Sequence, residues 1–289
     1  MLNRELDIVK YNNCIAKAVN SRIYAFSWYL NCVTDNWDAL VLNNYEAVMP
    51  LPKRKKLGLN YIYLPPWSQQ LGVFSERKID NEQIRMFLKA IPKKFILVDY
   101  FLNSGNRIEN KYTIKKDNYI LSLNADFETI KKAYNKNRKR ISNKNYSDLE
   151  VKKRGNRDSF LSFYKTQEMD FKTHKDTFEK LETLLKTENK AVNIWTVSRK
   201  GKLIAGLVWL KDKHRITYLA PVANKEAKDR NATTYLINEL IKTHQNTNLI
   251  LDFEGSMVEG VARFYKSFGT KKETYYWYKK KIIGWIVKQ

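Results

Sequence analysis

The chain has little of what many catalytic and structural signatures require. Its 289 residues include two cysteines, Cys14 and Cys32, which form no C-x-x-C pair. A disulfide framework and a structural zinc are therefore not expected. Three histidines, His174, His214 and His244, stand far apart, and no G-x-S-x-G elbow occurs, so neither a metal nor a serine nucleophile on such a turn is expected. No stretch approaches the roughly 18 apolar residues of a membrane span. The first eight residues carry charge where a signal peptide needs an apolar core, which predicts a cytoplasmic protein, neither exported nor an integral membrane protein. Acids are scarce relative to bases, with 30 Asp and Glu against 53 Lys and Arg and a formal charge of +23. That surplus attracts polyanions such as nucleic acid, an anionic membrane face or a phosphorylated ligand; charge scattered through a Lys-rich chain serves solubility equally well.

What is present organises around residues 249–269. Leu249, Ile250 and Leu251 form an apolar run that reads as a strand buried on both faces. Helical spacing then takes over, with Val261, Phe264, Tyr265 and Phe268 at i, i+3, i+4 and i+7, and Gly269 at the helix-ending position. Between them lies Asp252-Phe253-Glu254-Gly255-Ser256, a polar turn at the kind of strand end where ligands bind in α/β folds. Asp252 and Glu254, two apart at the end of a strand, are expected on one face, where either one accepts a proton from an amine, binds its ammonium form or caps backbone amides. Ser256 and Glu259 have the S-x-x-E spacing of a capping box.

In chain order, the hydropathy pattern predicts two similar halves. The first has a hairpin over 37–51 turning at Asn43-Asn44, a short basic loop over 53–56, a strand over 61–64, a proline-stiffened segment at Pro65-Pro66, a helix over 81–90 and a buried strand over 95–101. The second has a hairpin over 192–210 turning at Gly201, a third strand over 214–221, a helix over 233–244 and the strand near 249–253. Two copies of one mixed α/β unit, each a largely antiparallel sheet flanked by helices, are the simplest reading. The boundary is placed between 118 and 119.

The turn-plus-helix ending Arg263-Phe264-Tyr265-Lys266-Ser267-Phe268-Gly269 resembles the C-terminal half of the Fem-type peptidyltransferases and their relatives in the GNAT acyltransferase superfamily. Trp37-Asp38-Ala39-Leu40-Val41, Tyr45-Glu46-Ala47-Val48-Met49-Pro50-Leu51-Pro52 and the loop Tyr63-Leu64-Pro65-Pro66-Trp67-Ser68-Gln69-Gln70-Leu71-Gly72 extend the likeness to the N-terminal half. The resemblance implies two tandem GNAT-like domains, 1–118 on the acceptor side and 119–289 on the donor side, and an N-acyltransferase that uses acyl-CoA such as acetyl-CoA, or aminoacyl-tRNA, with a small-molecule or peptide-like amine acceptor held between the halves. The alternative is a non-catalytic basic module of the same fold that binds nucleic acid or an anionic surface.

Further candidates attach to that frame. A basic amphipathic helix is expected over 127–141, with Phe127, Ile130, Tyr134 and Ile141 as its apolar stripe and Lys136, Arg138 and Arg140 on a polyanion-binding or merely solvated face. The donor is expected at the start of the 233–244 helix, where free amides bind phosphate. There the acyltransferase glycine turn is replaced by Arg230-Asn231-Ala232-Thr233-Thr234, with no glycine to admit a pyrophosphate. Tyr63, Trp67, Gln69 and Gln70 are acceptor-side candidates. Arg263 and Lys266, on the polar side of the last helix, are candidates for an acidic group. Oligomeric state is not legible.

Overall fold

The computed structural model describes residues 1–167, 175–255 and 258–281. The chain divides into two compact units: residues 1–117, 179–184 and 274–289 form the first, and residues 118–178 and 185–273 the second.

In the first unit, α1 (Ile8–Lys17) starts at Asp7, whose carboxylate accepts from the Lys10 amide, and α2 (Ser27–Val33) follows. The strands are β1 (Asn36–Leu42), β2 (Ala47–Lys56), β3 (Leu59–Ile62), β4 (Phe74–Ser75) and β5 (Phe95–Leu102), with α3 (Asn81–Ala90) before the last. The β1–β2 hairpin is antiparallel with Leu42 opposite Ala47, and Asn43 takes the left-handed conformation (φ 48°) that the Asn-Asn turn predicts. Residues 53–56, expected as a loop, continue β2 and pair with β3. β3 and β5 run parallel, α3 begins with a capping box between Asp80 and Gln83, and the core gathers Tyr11, Tyr24, Tyr29, Trp37, Phe74, Phe95 and Tyr100.

β6 (Thr113–Ser122) begins in the first unit and ends in the second. Then come α4 (Phe127–Lys132), α5 (Lys136–Ser142), β7 (Glu150–Lys152), α6 (Arg157–Thr166), α7 (Lys175–Lys186), β8 (Val192–Arg199), β9 (Lys202–Lys211), β10 (Arg215–Ala223), α8 (Lys225–Arg230), α9 (Ala232–His244), β11 (Ile250–Asp252), α10 (Glu259–Lys266) and β12 (Lys271–Lys281). The second unit's strand order is β6-β11-β10-β9-β8-β7. All its neighbours are antiparallel except β10–β11, as a crossover through α8 and α9 requires. Its core packs Trp195, Leu207, Trp209, Ile216, Leu236, Leu240, Leu251, Phe253 and Phe268 between sheet and helices.

The single helix expected over 127–141 is two short ones. Asp126 caps α4 and Asn135 caps α5, because each of these side chains accepts an amide three residues on and restarts the helix in a new direction. Gly269 closes α10 as expected, at φ 72° with its amide on the Lys266 carbonyl. α10 begins at Glu259, directly after Val258, and Glu259 pairs with Arg263 at 2.7 Å. Ser256 and His174 lie outside the described residues.

Candidate acyl-transfer site

β10 and β11 pair only from Arg215–Ile250 to Thr217–Asp252. β10 then runs on to Ala223 with β9 on its other side, and the β9 register slips between Tyr218 and Ala220. Beyond Thr217, β10 has no further strand pairing on the β11 side among the described residues, so its edge is open at the carboxyl end of the sheet. The turn after β11 and the first turn of α9 come from the two segments that flank this end.

The turn is pinned by a buried ionic network. Asp252, 2% exposed, accepts from Arg215 Nη1 at 2.7 Å, from Asn118 Nδ2 at 2.9 Å and from the Glu254 amide at 3.0 Å. Arg215 Nη2 reaches Glu273 Oε1 at 2.6 Å, and Asn118 Oδ1 accepts the Gly255 amide at 2.7 Å. Burial works against the Arg215 charge, but the carboxylates of Asp252 and Glu273 outweigh it and hold the guanidinium above its ordinary value. Asp252 and Glu254 therefore do not share a face. The strand stops at Asp252, and Glu254, half-buried at φ 52°, has left the period-two geometry. Asp252 is committed to three donors, whereas Glu254 lies near Tyr265. Burial, with the Glu254 carboxylate adding to it, raises the Tyr265 phenol above its ordinary value and keeps it protonated.

The donor-side candidates lie where α8 meets α9. Asn231 adopts φ 60°, ending α8 and beginning α9 at once. It thus takes the left-handed position for which the sequence offers no glycine, since asparagine tolerates that region. Its side chain does not cap α9, and the first turn of α9 carries no acid. Amides at an uncapped helix start are available to an anion. Ala232 and Thr234 are buried, Asn231 and Thr233 half-buried, and Arg230 is turned to Asp148 in a short ion pair.

Arg138, expected on an exposed polyanion-binding or solvated face, is instead 6% exposed. The restart of the helix at Asn135 turns it inward. Its Nε donates to Ser267 Oγ at 2.9 Å, Nη1 donates to Thr234 Oγ1, and the guanidinium lies 4.5 and 4.6 Å from the rings of Phe264 and Phe268. No carboxylate among the described residues pairs with it, and burial lowers its pKa from the ordinary value while remaining well within the charged range for arginine. A buried cation held by hydroxyls and π-faces thus lies beside the start of α9, where the Asn231 side chain makes no cap. Lys136 and Arg140, on the same helix, are exposed as expected.

The other predicted residues are placed as follows. Gln70 is fully buried, accepting from Arg22 and the Ser104 amide and donating to Gln69 Oε1 at 2.8 Å, so it secures the 63–72 loop. Trp67 has φ 59° and its carbonyl accepts from Tyr29, while the Arg54 guanidinium lies 4.4 Å from the Tyr63 ring. Arg263 is spent on Glu259, and Lys266 lies 5.4 Å from the Tyr119 ring, exposed. Arg215, Glu273 and Asn118 escaped the sequence reading, and Tyr265 entered it only as part of the apolar stripe of the last helix. For Arg215 a signal existed, a cation opening the otherwise apolar run Ile216-Thr217-Tyr218-Leu219; its acids lie 37 and 58 residues away.

Comparison with known proteins bears on this geometry directly. Residues 131–253, which include α5, β10, α9 and β11, match the model of the acetyltransferase (GNAT) domain family. No curated protein matches the chain. Among solved structures, FemX shares the fold over 95% of this chain and 96% of its own, with a TM-score of 0.67 at 12% identity. A conserved protein of unknown function from Bacteroides thetaiotaomicron VPI-5482 does so over 97% of this chain and 100% of its own, with a TM-score of 0.63 at 13% identity. The matched region thus lies in a chain that shares the fold of FemX. Among the described residues no group of side chains is arranged to hold a metal, and no helix is long and apolar enough to cross a membrane.

Proposed function

We propose that the chain is an N-acyltransferase that binds the phosphates of its donor at the start of α9 and moves the acyl group to an amine beside the 253–255 turn. The observation that carries this reading is Arg138: a buried cation with no acid partner among the described residues, hydrogen-bonded to Thr234 in the first turn of a helix that its N-cap side chain, Asn231, leaves uncapped. In the reaction the amine nitrogen attacks the donor carbonyl, the new C–N bond forms, the bond from carbonyl carbon to sulfur or oxygen breaks, and the amine loses a proton while the leaving group gains one. Glu254 takes the amine proton, directly or through water. Tyr265, protonated beside it, supplies a proton to the departing thiolate or alkoxide. Backbone amides of β10 near its register shift are the donors for the developing oxyanion. Asp252 positions the turn and does not itself exchange the proton.

The donor is an acyl-CoA, with acetyl-CoA the first to test, because the matched domain is of the acetyltransferase type. Aminoacyl-tRNA is the second, favoured by exposed Lys136 and Arg140 on the helix that carries Arg138. The acceptor is a small-molecule or peptide-like amine. The 63–72 loop, with Tyr63, Trp67 and Gln69, is the acceptor-side candidate, and the halves 1–118 and 119–289 are read as tandem GNAT-like domains. Incubating the protein with a panel of acyl-CoAs and charged tRNAs in the presence of amines, and following product masses, tests the reading; transfer from none of them would reject it.

A further inference from the structure

The β2–β3 hairpin ends in a feature that acyl transfer does not use. Its turn has two residues, Leu57 and Gly58, between the paired Lys56 and Leu59. Both have positive φ, 49° and 80°, the type I′ geometry for which Asn-Gly is the favoured pair. A leucine at the left-handed first position is uncommon, and this one gains nothing from packing: Leu57 is 91% exposed and Leu59 49%. The strands leading to the tip read Lys53-Arg54-Lys55-Lys56 and Leu59-Asn60-Tyr61-Ile62, with no acid. Nearer the body, Lys53 is paired with Asp38 and Arg54 with Asp35. Lys55 and Lys56, nearest the tip, are exposed and have no acid partner among the described residues. The unit thus projects two leucines past two uncompensated lysines.

We propose that this hairpin docks the protein on an anionic lipid bilayer, with Leu57 and Leu59 entering the boundary between headgroups and acyl chains and Lys55 and Lys56 lying on lipid phosphates. Charge alone would fit a nucleic acid equally, but a polyanionic backbone offers nothing to an exposed leucine held at a strained backbone position. A bilayer surface takes both parts, since it solvates the apolar tip and attracts the cations around it. One hairpin with two lysines gives weak, reversible attachment.

The test uses the full chain and co-sedimentation with phosphatidylcholine vesicles, with and without phosphatidylglycerol. The expected result is partition to the anionic vesicles, weakened by salt. Leu57→Asn installs the residue the turn prefers, so the fold is retained with an unchanged or higher melting temperature while partition falls about tenfold. Lys55→Gln and Lys56→Gln each lower it about fivefold. Wild-type protein that ignores anionic vesicles overturns the proposal. So does a Leu57→Asn variant that sediments like wild type, or binding to tRNA but not to vesicles, either of which would leave the lysines as a purely electrostatic surface.

Discussion

Replacing Asp252 by asparagine separates a structural from a chemical role for the carboxylate at the end of β11. The wild-type group is 2% exposed and accepts three hydrogen bonds, one from a guanidinium that also serves Glu273. Removing one member of a buried ion pair costs about 3–5 kcal/mol, because the remaining charge stays buried without its partner. Glu273 keeps half of the Arg215 fork satisfied, so the lower end, about 3 kcal/mol, applies. For a domain of this size that is a fall in melting temperature of roughly 6–12 °C. Glu254→Gln, at a half-buried position beyond the strand, should leave the melting temperature within a degree or two while lowering turnover about 10²- to 10⁴-fold, the scale of a lost general base. Thermal unfolding followed by circular dichroism, with turnover measured well below both transitions, reads the two effects separately. If Asp252→Asn melts with wild type yet loses turnover on that scale, the carboxylate is the base and the positioning role assigned here is wrong.

Gly269→Ala should destabilise by more than about 1 kcal/mol, since φ is 72° and an added Cβ would lie 2.6 Å from both Cβ and the carbonyl oxygen of Ala133; chemical denaturation measures it. His244 is buried and its Nδ1–H donates to the Leu240 carbonyl at 3.0 Å, and burial, with Lys211 and Lys153 nearby, lowers its pKa below the ordinary 6.5. The unfolded chain then binds the extra proton, so stability should fall as pH drops below about 6.5, and His244→Leu should flatten that slope in urea titrations. If tRNA is bound through the exposed cations of α5, changing Lys136 and Arg140 together to Gln should reduce the slope of log affinity against log salt by roughly 1.4–1.8, measured by filter binding.

Much of the fold was legible because its signals are local. The helix Asn81–Ala90 follows from a cap and its stripe, the hairpins at Asn43 and Gly201 from turn chemistry, and the α10 helix from Val261, Phe264, Tyr265 and Phe268. Period-based reasoning failed where a side chain interrupts the period. Asn135 breaks one amphipathic helix into two and turns Arg138 inward, and the left-handed Glu254 removes it from the face of Asp252. The Arg215 network was illegible for another reason: its members come from β6, β10, β11 and β12, and only the tertiary pairing of those strands brings Asn118, Arg215, Asp252 and Glu273 together. Asn231 shows the limit of motif matching, because it supplies the left-handed conformation without the glycine that the motif names.

Donor binding by Thr233→Glu tests the central claim most directly. Thr233 is half-buried in the first turn of α9, where a carboxylate favours the helix dipole and should hold or slightly raise stability, yet puts charge of the wrong sign in the proposed anion site. Titrating acetyl-CoA calorimetrically into wild type and variant should show affinity lost by at least about tenfold, or about 1.4 kcal/mol, with the melting temperature preserved. Equal affinity in the two proteins would contradict a donor site at the start of α9.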